Sequence, residues 1–125
     1  MGLFNLFSKV PHWVKVFPDE GDRDVFKTML RNGANLDEPR EIIFCMYASR
    51  PNADKIVKAV RQKGWQCDVE KSADPDAAQS DQDHFIEVKK DGYVITADSF
   101  TEDKQLMVTL ADKFQADYDG WYASV

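Results

Sequence analysis

A near-continuous apolar run in the first half of the chain limits the possible folds most strongly. Residues 41–48 have the sequence Glu-Ile-Ile-Phe-Cys-Met-Tyr-Ala, and Pro39 lies just before them. Proline disfavours helical backbone at the residue before it, so a helix cannot continue through Glu38. A strand without alternation of apolar and polar residues is typical of one that is buried on both faces. We therefore predict a central β-strand here, covered on both sides along much of its length.

Helical patterns flank this strand. Residues 19–22 supply turn and cap residues for a first helix, which Gly33 ends as a left-handed cap. Its apolar stripe consists of Val25, Phe26, Met29 and Leu30. Ser49 and Pro51 begin a second helix, and Gly64 ends it. Its stripe consists of Ala53, Ile56, Val57 and Val60. Each helix should pack this stripe against a core.

Two shorter patterns indicate further strands. Apolar and polar residues alternate at 65–70, which predicts a strand that is exposed on one face and lies toward a sheet edge. Residues 85–88 and 93–97 flank Lys90-Asp91-Gly92, and Asp-Gly is a common hairpin turn. These two segments either pair as a hairpin or form one bent strand.

The last quarter of the chain begins with another amphipathic helix. Its apolar residues recur at helical spacing: Leu106, Met107, Leu110, Ala111 and Phe114. Ser99 and Glu102 have the spacing of a capping box, in which each side chain bonds the other residue's backbone amide. We therefore predict that Ser99 caps this helix.

A final strand follows at residues 117–122, where aromatic residues alternate with small or charged ones. A regular strand places Asp117 and Asp119 on one face with Trp121, and Tyr118 and Tyr122 on the other. Trp121 is then either an interface anchor or a core residue beside the permissive backbone of the preceding glycine. Both interpretations stay open at this point.

The order of elements predicts a fold of the α+β class. After the leading helix it is β-α-β-β-α-β, the ferredoxin-like split unit, with helices on one face of an antiparallel sheet. Residues 21–125 are enough for one domain, and residues 1–20 form an apolar arm with an extra helix following it. The arm either packs across the domain itself or docks on a partner or a membrane interface.

The charge distribution disfavours binding to nucleic acid. The formal net charge is -6, and phosphate recognition depends on a basic surface. The chain also lacks the basic and aromatic pattern of sheets that stack RNA bases. Residues 72–83 carry four aspartates without Lys or Arg, which predicts a mobile acidic loop. Lys55, Lys58 and Arg61 share one helix face that is either merely solvated or a docking surface for an acidic partner.

No pattern of catalytic residues is visible. His12 and His84 are far in sequence from any nucleophile or metal partner, and a buried Cys45 would be an inert thiol. The two cysteines do not have a metal-ligand spacing, and no glycine-rich phosphate loop is present. We predict no catalytic residue, cofactor or metal. The start of the chain lacks a signal-peptide or myristoylation pattern and no apolar run could cross a bilayer, so we expect a cytoplasmic protein with reduced thiols.

Several segments resemble one known family. Leu-Met-Val-Thr-Leu-Ala-Asp-Lys-Phe at 106–114, followed by Asp-Tyr-Asp-Gly-Trp at 117–121, resembles the closing segment of the ribonuclease E inhibitor B family, RraB. Asn32-Gly33, Glu38-Pro39-Arg40 and Lys63-Gly64-Trp65 are similar to the same family's layout. The resemblance implies a ferredoxin-like, non-catalytic bacterial regulator. Such a protein contacts the endoribonuclease itself and lowers RNA cleavage without occupying RNA.

The candidate partner-binding residues lie in two segments. Those of the final strand are Asp117, Tyr118, Asp119 and Trp121, and those of the acidic loop are Asp74, Asp76, Asp81 and Asp83. Trp and Tyr are favoured interface anchors, and acids beside them select a partner electrostatically. The predicted partner is ribonuclease E or a related endoribonuclease. The alternative is a stand-alone binding or immunity-type module of the same fold that neutralises a different protein.

Overall fold

The computed structural model describes residues 10–73 and 81–125. Within them the helices are α1 (His12–Lys15), α2 (Glu20–Arg31), α3 (Arg50–Gln62) and α4 (Ala97–Lys113). The strands are β1 (Arg40–Ala48), β2 (Gln66–Lys71), β3 (His84–Tyr93) and β4 (Asp117–Ala123). No helix in these two ranges has both the length and the apolar character that a bilayer crossing requires.

The four strands form one antiparallel sheet in the order β2-β3-β1-β4. The α+β class predicted from the sequence is confirmed, and this strand order is compatible with the ferredoxin-like arrangement. β1 is central and β2 lies at an edge, as their residue patterns predicted. β4 forms the other edge of the sheet within the described residues.

The helices pack on one face of the sheet. Ile42, Phe44 and Met46 of β1 are fully buried on that face, in one core with the apolar stripes of α2, α3 and α4. The intervening residues Ile43 and Cys45 are each only 6% exposed, yet they lie outside this core. Among the described residues, no helix covers them. The prediction that β1 is buried on both faces is therefore right about burial, but only one face carries helices.

Aromatic rings connect the N-terminal segment to this core. The ring of Phe26 lies at the centre, with centroids 5.1 Å from Trp13, 5.2 Å from Phe17, 5.1 Å from Phe100 and 5.3 Å from Trp121. The first three pairs are edge-to-face and the pair with Trp121 is tilted, and aromatic pairs at these distances stabilise a core beyond the area that they bury. Residues 10–17 of the predicted arm thus pack across the protein's own surface. Residues 1–9 lie outside the described ranges.

β3 is one continuous strand, so the hairpin is wrong and the bent-strand interpretation holds only as far as Tyr93. The rest of the predicted segment 93–97 is not a strand, since residues 94–96 lead into α4 at Ala97. The strand pairs with β1 over its whole length, and its register shifts between Lys90 opposite Ile42 and Tyr93 opposite Arg40. Gly92 lies within this shift with φ +66°. The Asp-Gly pair therefore makes an irregularity within the strand rather than a turn.

The cap of α4 also differs from the prediction. Thr96 Oγ1 accepts the amide of Ser99 at 3.0 Å, and Ser99 Oγ accepts the amide of Thr96 at 3.1 Å. This reciprocal pair is the capping box, so the helix begins at Ala97 and Glu102 has no part in it. Serine can occupy the third helical position because its hydroxyl accepts a hydrogen bond as a Glu carboxylate does.

Candidate protein-binding surface

A β-bulge decides which side chains of β4 are available to a partner. Tyr118 lies opposite Met46, and Trp121 lies opposite Phe44. Three positions separate Tyr118 from Trp121 but only two separate their partners, so Asp119 is an extra residue and the register shifts there. An extra residue reverses the alternation of a strand. Tyr118 and Trp121 therefore both face the helices.

This arrangement corrects the alternation expected from a regular strand. Asp117 and Asp119 do not share a face with Trp121. Gly120 has φ +110°, which is a conformation that L side chains rarely adopt. Glycine within a strand is a recognised signal of a bulge, so Gly120 could have indicated the bulge from the sequence.

Trp121 connects the end of the chain to α2. Its ring lies 4.7 Å from the ring of Phe100, and its Nε1 donates a 2.8 Å hydrogen bond to Asp22 Oδ1. The ammonium of Lys104 pairs with the other carboxylate oxygen of Asp22, which is only 7% exposed. Both oxygens of this buried carboxylate thus have donors. Asp22 was missed as a functional residue because its partners are distant in sequence.

The cap of α2 supports the same cluster. Asp19 Oδ1 accepts the amide of Asp22 at 2.8 Å, and its other oxygen lies 3.6 Å from Lys104 Nζ. The amide hydrogen bond, with a smaller contribution from Lys104, lowers the pKa of Asp19. An acid at a helix N-terminus is also stabilised by the helix dipole. α2, α4 and β4 therefore meet at one charged cluster beside the core.

Tyr118 and Tyr122 occupy opposite faces of the sheet, so the prediction that they share one face is wrong because of the bulge between them. Tyr118 is half-buried, its hydroxyl has no hydrogen-bond partner within the described residues, and burial raises its pKa. Tyr122 lies opposite Ile43, is 48% exposed, and donates a 2.6 Å hydrogen bond to Glu87 Oε2, which raises its pKa to about 12. Tyr122 is therefore the exposed aromatic residue of β4.

The far end of the acidic loop lies near the start of β4. Gln82 Nε2 donates to the carbonyl oxygen of Gln115 at 2.9 Å, which is two residues before Asp117. Asp81 is exposed. Asp83 is half-buried and lies 2.8 Å from His84 Nδ1, a hydrogen bond that lowers the pKa of Asp83. Asp81 and Asp83 are thus brought to the end of the sheet where Asp117 lies, while Asp74 and Asp76 fall outside the described residues.

The sheet face opposite the helices carries a strong excess of negative charge. We call it the acidic sheet face. Strand register places the carboxylates of Asp68, Glu70, Glu87 and Asp117 on it. Alternation along β1 adds Glu41, and Asp119 of the bulge acts on Cys45, which lies on the same face. Lys89 is the one basic side chain on this face in the described strands, and its Nζ is already 2.6 Å from Asp68 Oδ2. Six carboxylates against one ammonium leave five negative charges. Such a surface attracts basic partners.

A comparison with protein families matches residues 19–122 to the model described as regulator of ribonuclease activity B, RraB. The chain belongs to the RraB family. The matched range runs from the cap of α2 to Tyr122, so it includes β1, β2 and β3 whole and all of β4 except Ala123. A search of curated proteins finds no match to the chain.

The RraB description names a regulator of ribonuclease activity rather than a catalyst. In the described part of this RraB chain, no group of three or more His, Cys, Asp or Glu side chains could hold a metal ion. Cys45 lies at the centre of the acidic sheet face, where burial and then the charges of Glu87 and Asp119 raise its pKa to about 11. A thiol with that pKa is neutral and unreactive at physiological pH.

Proposed function

We propose that this RraB-family chain lowers RNA cleavage by an endoribonuclease of the ribonuclease E type, through direct protein contact and without catalysis of its own. The family match over residues 19–122 carries this proposal, because the family regulates ribonuclease activity. The net charge of -6 supports contact with the enzyme rather than with its RNA, since RNA phosphates repel an acidic protein. The protein acts in the cytoplasm, where RNA decay takes place.

The exposed carboxylates of β4 and of the acidic loop make the proposed contact. Asp117 and Asp119 are exposed, and Asp81 lies at the same end of the sheet as Asp117. Acids at an interface rim speed association with a basic partner and select against acidic ones. Trp121 and Tyr118 do not touch the partner in this proposal, because both rings face the helices. They affect binding only by fixing the conformation of β4.

The test is RNA cleavage by a purified ribonuclease E-type enzyme, with and without this protein. We expect the wild-type protein to slow cleavage and the Asp117→Asn/Asp119→Asn variant to slow it less. The matched control is Asp24→Asn/Asp112→Asn, which removes two exposed acids from the helices and should inhibit as the wild type does. Circular dichroism verifies that each variant is folded. Absence of both inhibition and binding by the wild-type protein would refute the proposal.

A second candidate function is a stand-alone module that neutralises a different basic enzyme. The excess of six carboxylates over one ammonium on the acidic sheet face favours it, because that complementarity does not depend on a ribonuclease. Retention of a different protein from lysate, together with failure to bind the purified endoribonuclease, would support this function over the first.

A further inference from the structure

β1 places an apolar stripe on the face of the sheet that the helices leave open. Ile43, Cys45 and Tyr47 point to this face, and the ring of Tyr47 lies 5.0 Å from that of Phe85 on β3. Tyr122 lies beside Ile43 and extends the stripe toward β4. A solvated face of an antiparallel sheet normally carries polar residues in alternation. This stripe is therefore unusual for a face that, among the described residues, no helix covers.

Carboxylates border the stripe on both sides. Asp68 and Glu70 lie on β2, and Asp117 and Asp119 lie on β4. Asp68 is 70% exposed and forms an ion pair with Lys89. Because Lys89 is the one basic side chain on this face in the described strands, the other carboxylates of the rim have no cation from those strands. An apolar centre with a charged rim is the general anatomy of a protein interface. The single sign of the rim specifies the charge of the partner.

We propose that the acidic sheet face binds a basic amphipathic segment of a partner protein. The apolar side chains of that segment pack on the exposed ring of Tyr122 and on the Tyr47–Phe85 pair, and its Lys and Arg side chains reach the carboxylates on either side. This inference rests on the proposed function only in that the partner is a protein. It names the surface and the chemistry that the surface recognises.

The dimensions suit a helical segment. Four strands at about 4.8 Å spacing make a face about 14 Å wide, and a helix with its side chains is about 10 Å across. The distance from residue 43 to residue 47 is about 13 Å along a strand, or between two and three helical turns. A helix lying along β1 would thus have β2 acids on one side and β4 acids on the other.

Charge excludes the other classes of occupant. RNA and the anionic lipids of a membrane surface both carry phosphate groups, which this face repels. A second copy of the chain would oppose one acidic rim to another, and like charges facing each other across an interface destabilise it. A basic segment is the occupant that neutralises the rim.

The experiment uses a synthetic amphipathic peptide with a leucine stripe and lysines elsewhere, titrated into the full-length protein labelled for NMR. We expect amide shifts to concentrate in β1, β3 and β4. A peptide in which glutamates replace the lysines should not bind. Shifts confined to the helices, or equal binding of both peptides, would overturn the proposal.

Charge-matched variants test the same surface. Glu87→Gln/Asp119→Asn should weaken peptide binding about tenfold, since each lost ion pair contributes up to several-fold in affinity. Glu102→Gln/Asp112→Asn removes the same charge from α4 and should leave the affinity within about twofold. If both variants weaken peptide binding equally, binding depends only on the net charge of the protein, and the proposal is overturned. Asp68→Asn/Asp117→Asn, on exposed positions, repeats the test if the first variant does not fold.

The two proposals fail in different ways. If the protein does not inhibit the endoribonuclease but binds the basic peptide on this face, the proposed function is refuted and the surface assignment stands. If the protein inhibits the enzyme but the peptide and the enzyme both bind the Glu87→Gln/Asp119→Asn variant as tightly as the wild type, the surface assignment is refuted.

Discussion

Replacement of Trp121 by Phe should destabilise the fold while leaving the acidic sheet face intact. Phe keeps an aromatic ring beside Phe26 and Phe100, but it has no N–H to donate to Asp22 Oδ1. A hydrogen bond to a charged group contributes about 1.5–3 kcal/mol. Lys104 still pairs with the other oxygen, so the carboxylate is not left unpaired and the lower half of that range applies. With the smaller ring, we expect a total loss of about 2–3 kcal/mol.

Urea unfolding followed by far-ultraviolet circular dichroism measures this loss. The matched control is Tyr122→Phe at the next residue, which removes a hydrogen bond from an exposed hydroxyl to Glu87 and should change stability by about 0.5 kcal/mol or less. A Trp121→Phe variant as stable as the Tyr122→Phe variant would refute the role assigned to the indole N–H.

A double-mutant cycle isolates the contact. Asp22→Ala should cost less in the Trp121→Phe background than in the wild type, with a coupling energy of about 1 kcal/mol or more. A coupling near zero would contradict the assigned contact. The result also bears on function, because a loss of inhibition in a Trp121 variant indicates a lost interface only if the protein is still folded.

Three further outcomes are expected. The amide hydrogen bond lowers the pKa of Asp19 in the folded state, so its charge contributes stability above the unfolded pKa and that contribution is lost as the pH falls through the lower folded pKa. The difference in melting temperature between the wild type and Asp19→Asn should therefore shrink below about pH 4, and a difference that is constant with pH would refute this. Gly120→Ala should cost about 1–3 kcal/mol in urea unfolding because of the positive φ, although its Cβ would meet no atom within 4 Å; unchanged stability would contradict the bulge geometry. Cys45 and Cys67 are buried thiols with pKa values raised to about 11, so a thiol reagent at pH 8 should label them only after unfolding, and fast labelling of the native protein would disprove their burial.

Local patterns were sufficient to predict most of the elements. The run at 41–48 predicted the central strand, the alternation at 65–70 predicted an edge strand, and Ser49 occupies the N-cap position of the helix that the sequence placed after it. These predictions succeed because backbone preference and apolar periodicity depend on residues that are near in sequence. The family resemblance rested on local segments too, and the family match confirms it.

Apart from the cap of α4, the errors arose where pairing between strands decides the outcome. The bulge at Asp119 depends on how β4 aligns with β1, and the continuity of β3 through Gly92 depends on β1 as a template. A one-residue shift moves every following side chain to the other face, so a small error in register gave a large error in the predicted surface. Tyr122 was consequently overlooked as a candidate contact.

The sequence by itself determined the type of each element, the α+β class and the acidic character of the chain, because these follow from composition and from contacts between near neighbours. Only the tertiary structure decided what each face of the sheet does. It placed the indole N–H of Trp121 in a hydrogen bond with Asp22, which is 99 residues away in the chain. Trp121 was a candidate partner contact, and the structure shows that it connects β4 to α2. It also placed every helix of the described residues on one side of β1, which put the other half of the apolar run on the acidic sheet face. The physical reason is that strand register and helix packing depend on residues far apart in the chain, and no local pattern encodes them.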